Sequence, residues 1–182
     1  CSNCKTGATM NKSLAEDTVC YIGIDLGTPT TRVWLVEGGI SVHRLSASVG
    51  VRDTARNGNN DQLRSTLREL IIQQQDKAVE LGLTPRFVIG AGMLTSALGL
   101  KEIPHVNGPV DIEKLKSNVS IRTFPDVTSL PVMLVPGVKT GTPGANAWEI
   151  ENMDVIRGEE TLCVGMIASG VLRPDSMLIN LG

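Results

Sequence analysis

Residues 19–25, VCYIGID, form a short apolar run that ends in the glycine-bearing segment LGTPTT, and the run reads as a buried strand followed by a turn. The stretch RVWLVEGGISVHRLSA then gives two further strand patterns on either side of Glu37, Gly38 and Gly39, a tight connection of the kind that joins antiparallel neighbours. Together these segments predict a three-stranded meander. The period then changes. Leu63, Leu67, Leu70, Ile71, Ala78 and Leu81 recur at helical spacing, with Asn60 or Asp61 placed to cap the start and Gly82 to end the helix.

Beyond that helix, RFVIG at 86–90 is a compact strand, and GAGMLTSALGL switches to helical spacing after its small residues, which completes a βαβ pattern. A short helix fits 111–117, a strand fits 118–124, and a stronger strand fits 130–137. The Gly-, Pro- and Thr-rich stretch at 139–152 is expected to be a surface loop. From Val155 to Ala168 a helix is predicted, with Ile156, Leu162, Val164, Ile167 and Ala168 as its apolar face, and SMLINLG at 176–182 begins another strand. The order implies a mixed sheet with helices on its faces. No internal repeat or low-complexity tract interrupts it.

Composition narrows the class. Hydrophobic residues make up 41% of the 182 and charged residues 20%, a balance that supports a folded core and excludes a disordered chain. With 17 basic and 19 acidic residues and 3% aromatics, there is neither an electrostatic footprint for nucleic acid nor a stacking platform for single strands. No apolar run is long enough to cross a bilayer and no secretory layout opens the chain, so a cytoplasmic protein is expected. Of the four cysteines, Cys1 and Cys4 form a CxxC ahead of any structural pattern. A redox CxxC would follow a strand and open a helix, and a zinc site needs two more ligands that His43 and His105 do not obviously supply. Residues 1–18 are therefore expected to be a flexible tail.

Three segments could carry chemistry. In Asp25-Leu26-Gly27-Thr28-Pro29-Thr30-Thr31-Arg32 a carboxylate ends a buried strand before glycine and hydroxyl residues, a turn suited to a magnesium-bound phosphate. An ordinary hairpin turn with a capping Asp is an equal reading, and the glycines match neither a Walker loop nor GxGxxG. In Gly90-Ala91-Gly92-Met93-Leu94-Thr95-Ser96 a strand enters a helix through small residues, which suits either an anion at the helix start or close helix–strand packing. In Asn152-Met153-Asp154-Val155-Ile156-Arg157-Gly158-Glu159-Glu160-Thr161, acidic residues ahead of an apolar helix serve as dipole partners, or one carboxylate accepts a proton while Arg157 steadies an anion.

Taken together and in order, IGIDLGTPTTRVWL, IGAGMLTS, LVPGV and NMDVIRGEET resemble the 2-keto-3-deoxy-galactonokinase family of the actin/hexokinase-like ATPase superfamily, over nearly everything after residue 20. The resemblance implies an α/β, ribonuclease H-like (actin-like ATPase) domain over 19–175, with a mixed five-stranded sheet and helices on both faces. It also implies that 176–182 is the first strand of a second domain that continues past Gly182, and that this chain alone binds ATP poorly and does not turn over. The implied reaction is ATP- and Mg²⁺-dependent phosphorylation of the terminal hydroxyl of 2-dehydro-3-deoxy-galactonate. Carried over by position, Asp25 would orient Mg²⁺, Gly27, Thr28, Thr30 and Thr31 would line the phosphates, and Gly92, Met93 and Ser96 would border the sugar acid. Glu159 is the expected base, Asp154 the second choice, and Arg157 an electrostatic or substrate partner. Leu26 stands where the family tends to carry tryptophan or another large residue. The implied partners are ATP and a small sugar acid, with no nucleic acid and no membrane. A homodimer through an uncovered apolar face is a further expectation. A non-catalytic scaffold with the same fold and a nucleotide-linked phosphatase are the competing readings.

Overall fold

The structure, a computed structural model, describes residues 18–141, 154–173 and 175–179. The expected N-terminal tail up to residue 17, with its Cys1–Cys4 pair, lies outside the described residues. So do most of the 139–152 loop, Asn152, Met153 and the last three residues of the expected terminal strand.

Strands β1 (Cys20–Leu26), β2 (Thr31–Glu37) and β3 (Ile40–Ala47) form the expected antiparallel meander, with Ile24 opposite Val33 and Asp25 opposite Arg32. Alternation decides what each strand presents. Cys20, Ile22, Ile24 and Leu26 of β1, with Val33 and Leu35 of β2, are buried on one face. Helix α1 (Val51–Asn57), absent from the sequence reading, leads into the long helix α2 (Asp61–Glu80), whose Leu63, Leu67, Leu70, Ile71 and Ala78 pack onto that face. Each fully buried leucine or isoleucine there contributes about 1.5–3 kcal/mol through the apolar area it removes from water.

Strand β4 (Val88–Gly92) runs parallel to β1. After it come the two-residue strand β5 (Val106–Asn107), α3 (Ile112–Ser117, capped by the Asp111 carboxylate), β6 (Ser120–Phe124), β7 (Thr128–Leu134), β8 (Val138–Lys139), β9 (Val155–Ile156) and α4 (Glu159–Ala168). The main sheet has the order β3-β2-β1-β4-β7-β6, and β5-β8-β9 form a small second sheet. Six strands replace the expected five because β6 pairs with β7 as an antiparallel edge. Helices do not cover both faces equally. Helix α2 lies on one, whereas Tyr21, Asp25 and Trp34 are only half-buried on the other, which α4 meets at the end of β4.

Two predicted helices are corrected. The chain after β4 makes only a 3₁₀ turn at Met93–Thr95. Leu94 is fully buried, and its carbonyl accepts the amides of Leu100 and Lys101, which folds the segment back before a helix can propagate. Helix α4 starts at Glu159, not Val155, because Val155 and Ile156 pair with Lys139 and Val138. Its expected apolar face is also not buried: Leu162 is 48% exposed, and the residue that α4 buries is Glu160. Residues 176–179 form no strand. Among the described residues no helix is long and apolar enough to cross a membrane.

One polar group ties α2 to the meander. Gln74 has no exposed surface, its amide donates to the Val33 carbonyl at 2.9 Å, and its oxygen accepts from His43 Nδ1 at 2.8 Å. Replacing Gln74 by alanine strands both partners and should lower the unfolding free energy by about 1–2 kcal/mol. An unchanged urea midpoint for Gln74→Ala would show that the link contributes nothing.

Candidate functional site

The same alternation that buries Ile24 and Leu26 turns Asp25 to the opposite face. Across the ladder Arg32 shares that face, and its Nη1 donates to Asp25 Oδ2 at 3.0 Å, with Trp34 two residues further along β2. The turn after Asp25 is held from behind. Gly27 N donates to the Thr30 carbonyl at 2.9 Å, and the carbonyls of Gly27 and Thr28 accept the Val51 and Arg52 amides at the start of α1.

The second wall is the end of β4. Gly92 has φ 70° and ψ −147°, a conformation open almost only to glycine. A Cβ there would stand 2.9 Å from the Leu26 carbonyl and 3.0 Å from Asp25 Oδ1. The third is the turn before α4, where Gly158 has φ 118° and a Cβ would meet Gly92 Cα at 3.4 Å. Backbone therefore touches backbone from β1 to β4 to α4. These ends enclose an open cleft of about 710 Å³, within the size range of small-molecule sites.

Of the eleven residues to which the family resemblance gives a role, seven line that cleft: Asp25, Gly27, Thr28, Gly92, Met93, Arg157 and Glu159. Four do not. Thr30 closes the turn through its carbonyl. Thr31 is fully buried on the α2 side, and its hydroxyl donates to the Val49 carbonyl at 2.7 Å. The Ser96 hydroxyl donates to the Met93 carbonyl, and the Asp154 carboxylate accepts the Val155 amide beside β9. Arg32, which the first segment includes without a role, and Trp34, which no segment includes, line the cleft as well, and the strand alternation that buries Val33 and Leu35 is a signal for both.

Arg157 borders the cleft but is bonded away from it. Its guanidinium donates to the Thr95 carbonyl and hydroxyl, to the Ile103 carbonyl and to the His105 ring. Burial lowers its pKa from the usual arginine range. Burial also pushes the Glu160 carboxyl up, since this side chain is 3% exposed, and the Gly158 amide that it accepts at 2.6 Å offsets only part of that rise. Glu160 is thus the capping member of the acidic pair, and Glu159 is the member exposed to the cleft.

The donor set suits one kind of metal. Among the described residues no cluster of three His, Cys, Asp or Glu side chains could hold an ion unaided. Asp25 beside its backbone turn, with Glu159 lining the same cleft, fits Mg²⁺ that arrives with phosphate oxygens and water, since that ion keeps most of its shell when protein binds it.

A family model described as 2-keto-3-deoxy-galactonokinase matches residues 25–182. The 2-dehydro-3-deoxygalactonokinase of Escherichia coli (strain K12) is 27% identical over 167 residues, covering 91% of this chain and 47% of that protein. The chain thus spans about half the length of that relative. The crystal structure of a Sinorhizobium meliloti protein carrying the same enzyme name superposes with a TM-score of 0.57 at 20% identity, over 82% of this chain and 42% of that one. That likeness establishes a shared mixed α/β fold. By a match that takes in both the Asp25 turn and the Arg157–Glu159 segment, the chain belongs to the 2-keto-3-deoxy-galactonokinase family.

Proposed function

We propose that the chain is the N-terminal, actin-like ATPase domain of a carbohydrate kinase that transfers the γ-phosphoryl group of ATP to the terminal hydroxyl of 2-dehydro-3-deoxy-galactonate. The observation that carries this reading is the convergence of Asp25, Gly92 and the Gly158–Glu159 turn on one cleft, in the order in which the family motifs occur.

In this reading Asp25 would orient Mg²⁺ or its water, and the ion would supply charge neutralisation on the phosphates. Gly27 and Thr28 border the phosphate path, and Gly92 and Met93 border the sugar acid. The substrate hydroxyl oxygen bonds to the γ-phosphorus as the bond to the β–γ bridging oxygen breaks, ADP leaves, and Glu159 takes the hydroxyl proton. The transition state is loose, so placement and charge contribute more than the strength of the base. Trp34, on the same wall as Asp25, gives the cleft an apolar side.

Because the chain spans 47% of the Escherichia coli relative, the test uses the complete translation product of the gene beside this chain. ADP release that depends on 2-dehydro-3-deoxy-galactonate, with a phosphate ester on the terminal carbon by NMR, is the expected result for the complete product. Binding without transfer would favour a scaffold, and release of inorganic phosphate alone would favour a phosphatase. Either outcome refutes the kinase reading.

A further inference from the structure

We propose that Arg157 is a positioning residue which, clamped between Thr95 and His105, holds the Gly158 turn against the end of β4 and so fixes where Glu159 stands. The meaning of Glu159 rests on the kinase reading, while the clamp is a matter of geometry.

Arg157 Nη1 donates to the Thr95 carbonyl at 2.6 Å and to the Thr95 hydroxyl, and Nη2 donates to the Ile103 carbonyl at 3.2 Å and to His105 Nε2 at 3.0 Å. Thr95 has no exposed surface, and its hydroxyl proton is shared between the carbonyls of Gly92 at 3.2 Å and Val135 at 3.1 Å. One guanidinium therefore joins the ends of β4 and β7 to the turn that starts α4. The next residue, Gly158, is the one packed on Gly92, and the one after is Glu159. A planar fork with five donors can satisfy such a set of acceptors at fixed angles, and an ammonium cannot.

His105 completes the clamp only when neutral. Arg157 Nη2 lies 3.0 Å from Nε2 and 3.3 Å from Nδ1, close to both ring nitrogens at once, and at that distance a guanidinium is compatible only with an uncharged ring. The ring is wedged in place: a Cβ on Gly137 would lie 2.8 Å from His105 Cδ2 and 2.6 Å from the Ile156 carbonyl. Burial, then Arg157 and then Lys139 on β8, hold the imidazole below its ordinary range, and Glu102 alone acts in the opposite sense. Protonation would place two cations about 3 Å apart. A depressed folded-state pKa contributes stability that is present above the unfolded value, about 6.5, and is lost as pH falls through the folded one.

The test combines hydrogen exchange with kinetics on the complete translation product. Arg157→Met should raise amide exchange at residues 158–162 by about tenfold or more while α2 amides keep their protection, as a local opening does. It should lower kcat by about 10²-fold, the cost of a misplacement of about 1 Å, with the sugar-acid KM nearly unchanged. Arg157→Lys should behave like Arg157→Met. The wild type should lose kcat as pH falls through the depressed folded-state value, below the ordinary imidazole value of about 6.5, and His105→Gln, which cannot be protonated, should remove that fall. Unchanged exchange in Arg157→Met, or recovery of kcat by lysine, would overturn the proposal and make Arg157 a direct electrostatic partner. If the wild type shows no turnover, the kinase reading falls, and exchange still decides the clamp.

Discussion

A Gly92→Ala chain should lose about 2–5 kcal/mol of unfolding free energy, the sum of a disfavoured backbone conformation and an overpacked contact. The position has φ 70° and ψ −147°, so alanine either holds that strained conformation or forces β4 to end differently. Its methyl group would also stand 2.9 Å from the Leu26 carbonyl and 3.0 Å from Asp25 Oδ1. The carbonyl belongs to β1 and cannot move without breaking the ladder with β4, so the carboxylate is the group that yields. Stability and chemistry should therefore fall together, with phosphoryl transfer down by about 10²-fold in the complete translation product. Gly165→Ala is the control, since a Cβ there meets nothing within 4 Å and the position lies inside α4. That variant should be neutral, or more stable by about 0.5–1 kcal/mol from helix propensity. Urea unfolding of both chains separates the two cases. Equal midpoints would remove Gly92 from any special role in the architecture.

The contrast between these two glycines shows what a sequence can express. Gly92 was legible as a small residue at a strand end, but both readings open at that stage assumed a helix after it. The helix did not form because Leu94 is an anchor in the core, and a single buried leucine gives no periodic signal. The meander and α2 were legible because their burial repeats, at period two in β1 and near 3.6 in α2. Helix α1 buries only Val51 and Thr54, and β5, β8 and β9 are two residues each, so pairing partners far along the chain define them. The candidate site divides in the same way. Asp25 is legible from residue type and place and Glu159 through the family resemblance, and both line the cleft, whereas the parity of Thr31 with Val33 and Leu35 sets it aside. The partners of Arg157 could not have been found, because two of them are backbone carbonyls, which every residue carries. Sequence does not separate Glu160 from its neighbour, and only the fold shows that one of two adjacent glutamates is turned inward.

Asp25→Asn should separate chemistry from stability, which Gly92→Ala cannot do. Asp25 and Arg32 are 41% and 44% exposed at the side chain, so their ion pair is screened by water and its loss should change the unfolding free energy by less than about 1 kcal/mol. Transfer is another matter. The amide keeps the size of the carboxylate but not its charge, and among the described residues no second cluster of ligands stands ready to hold a metal instead. The expected result is a fall of about 10²–10³ in kcat/KM for MgATP, comparable with deleting one preorganised electrostatic contact, together with a higher Mg²⁺ requirement. Glu159→Gln should cost less, about 10²-fold at most in kcat, because a loose transition state releases the hydroxyl proton late. This order of severity is what positioning and charge neutralisation demand, and steady-state kinetics over a Mg²⁺ series reads it directly. If Glu159→Gln proved the more damaging change while Asp25→Asn kept the wild-type response to Mg²⁺, the metal would have to be held elsewhere, and the Asp25 turn would revert to a hairpin whose carboxylate serves only Arg32.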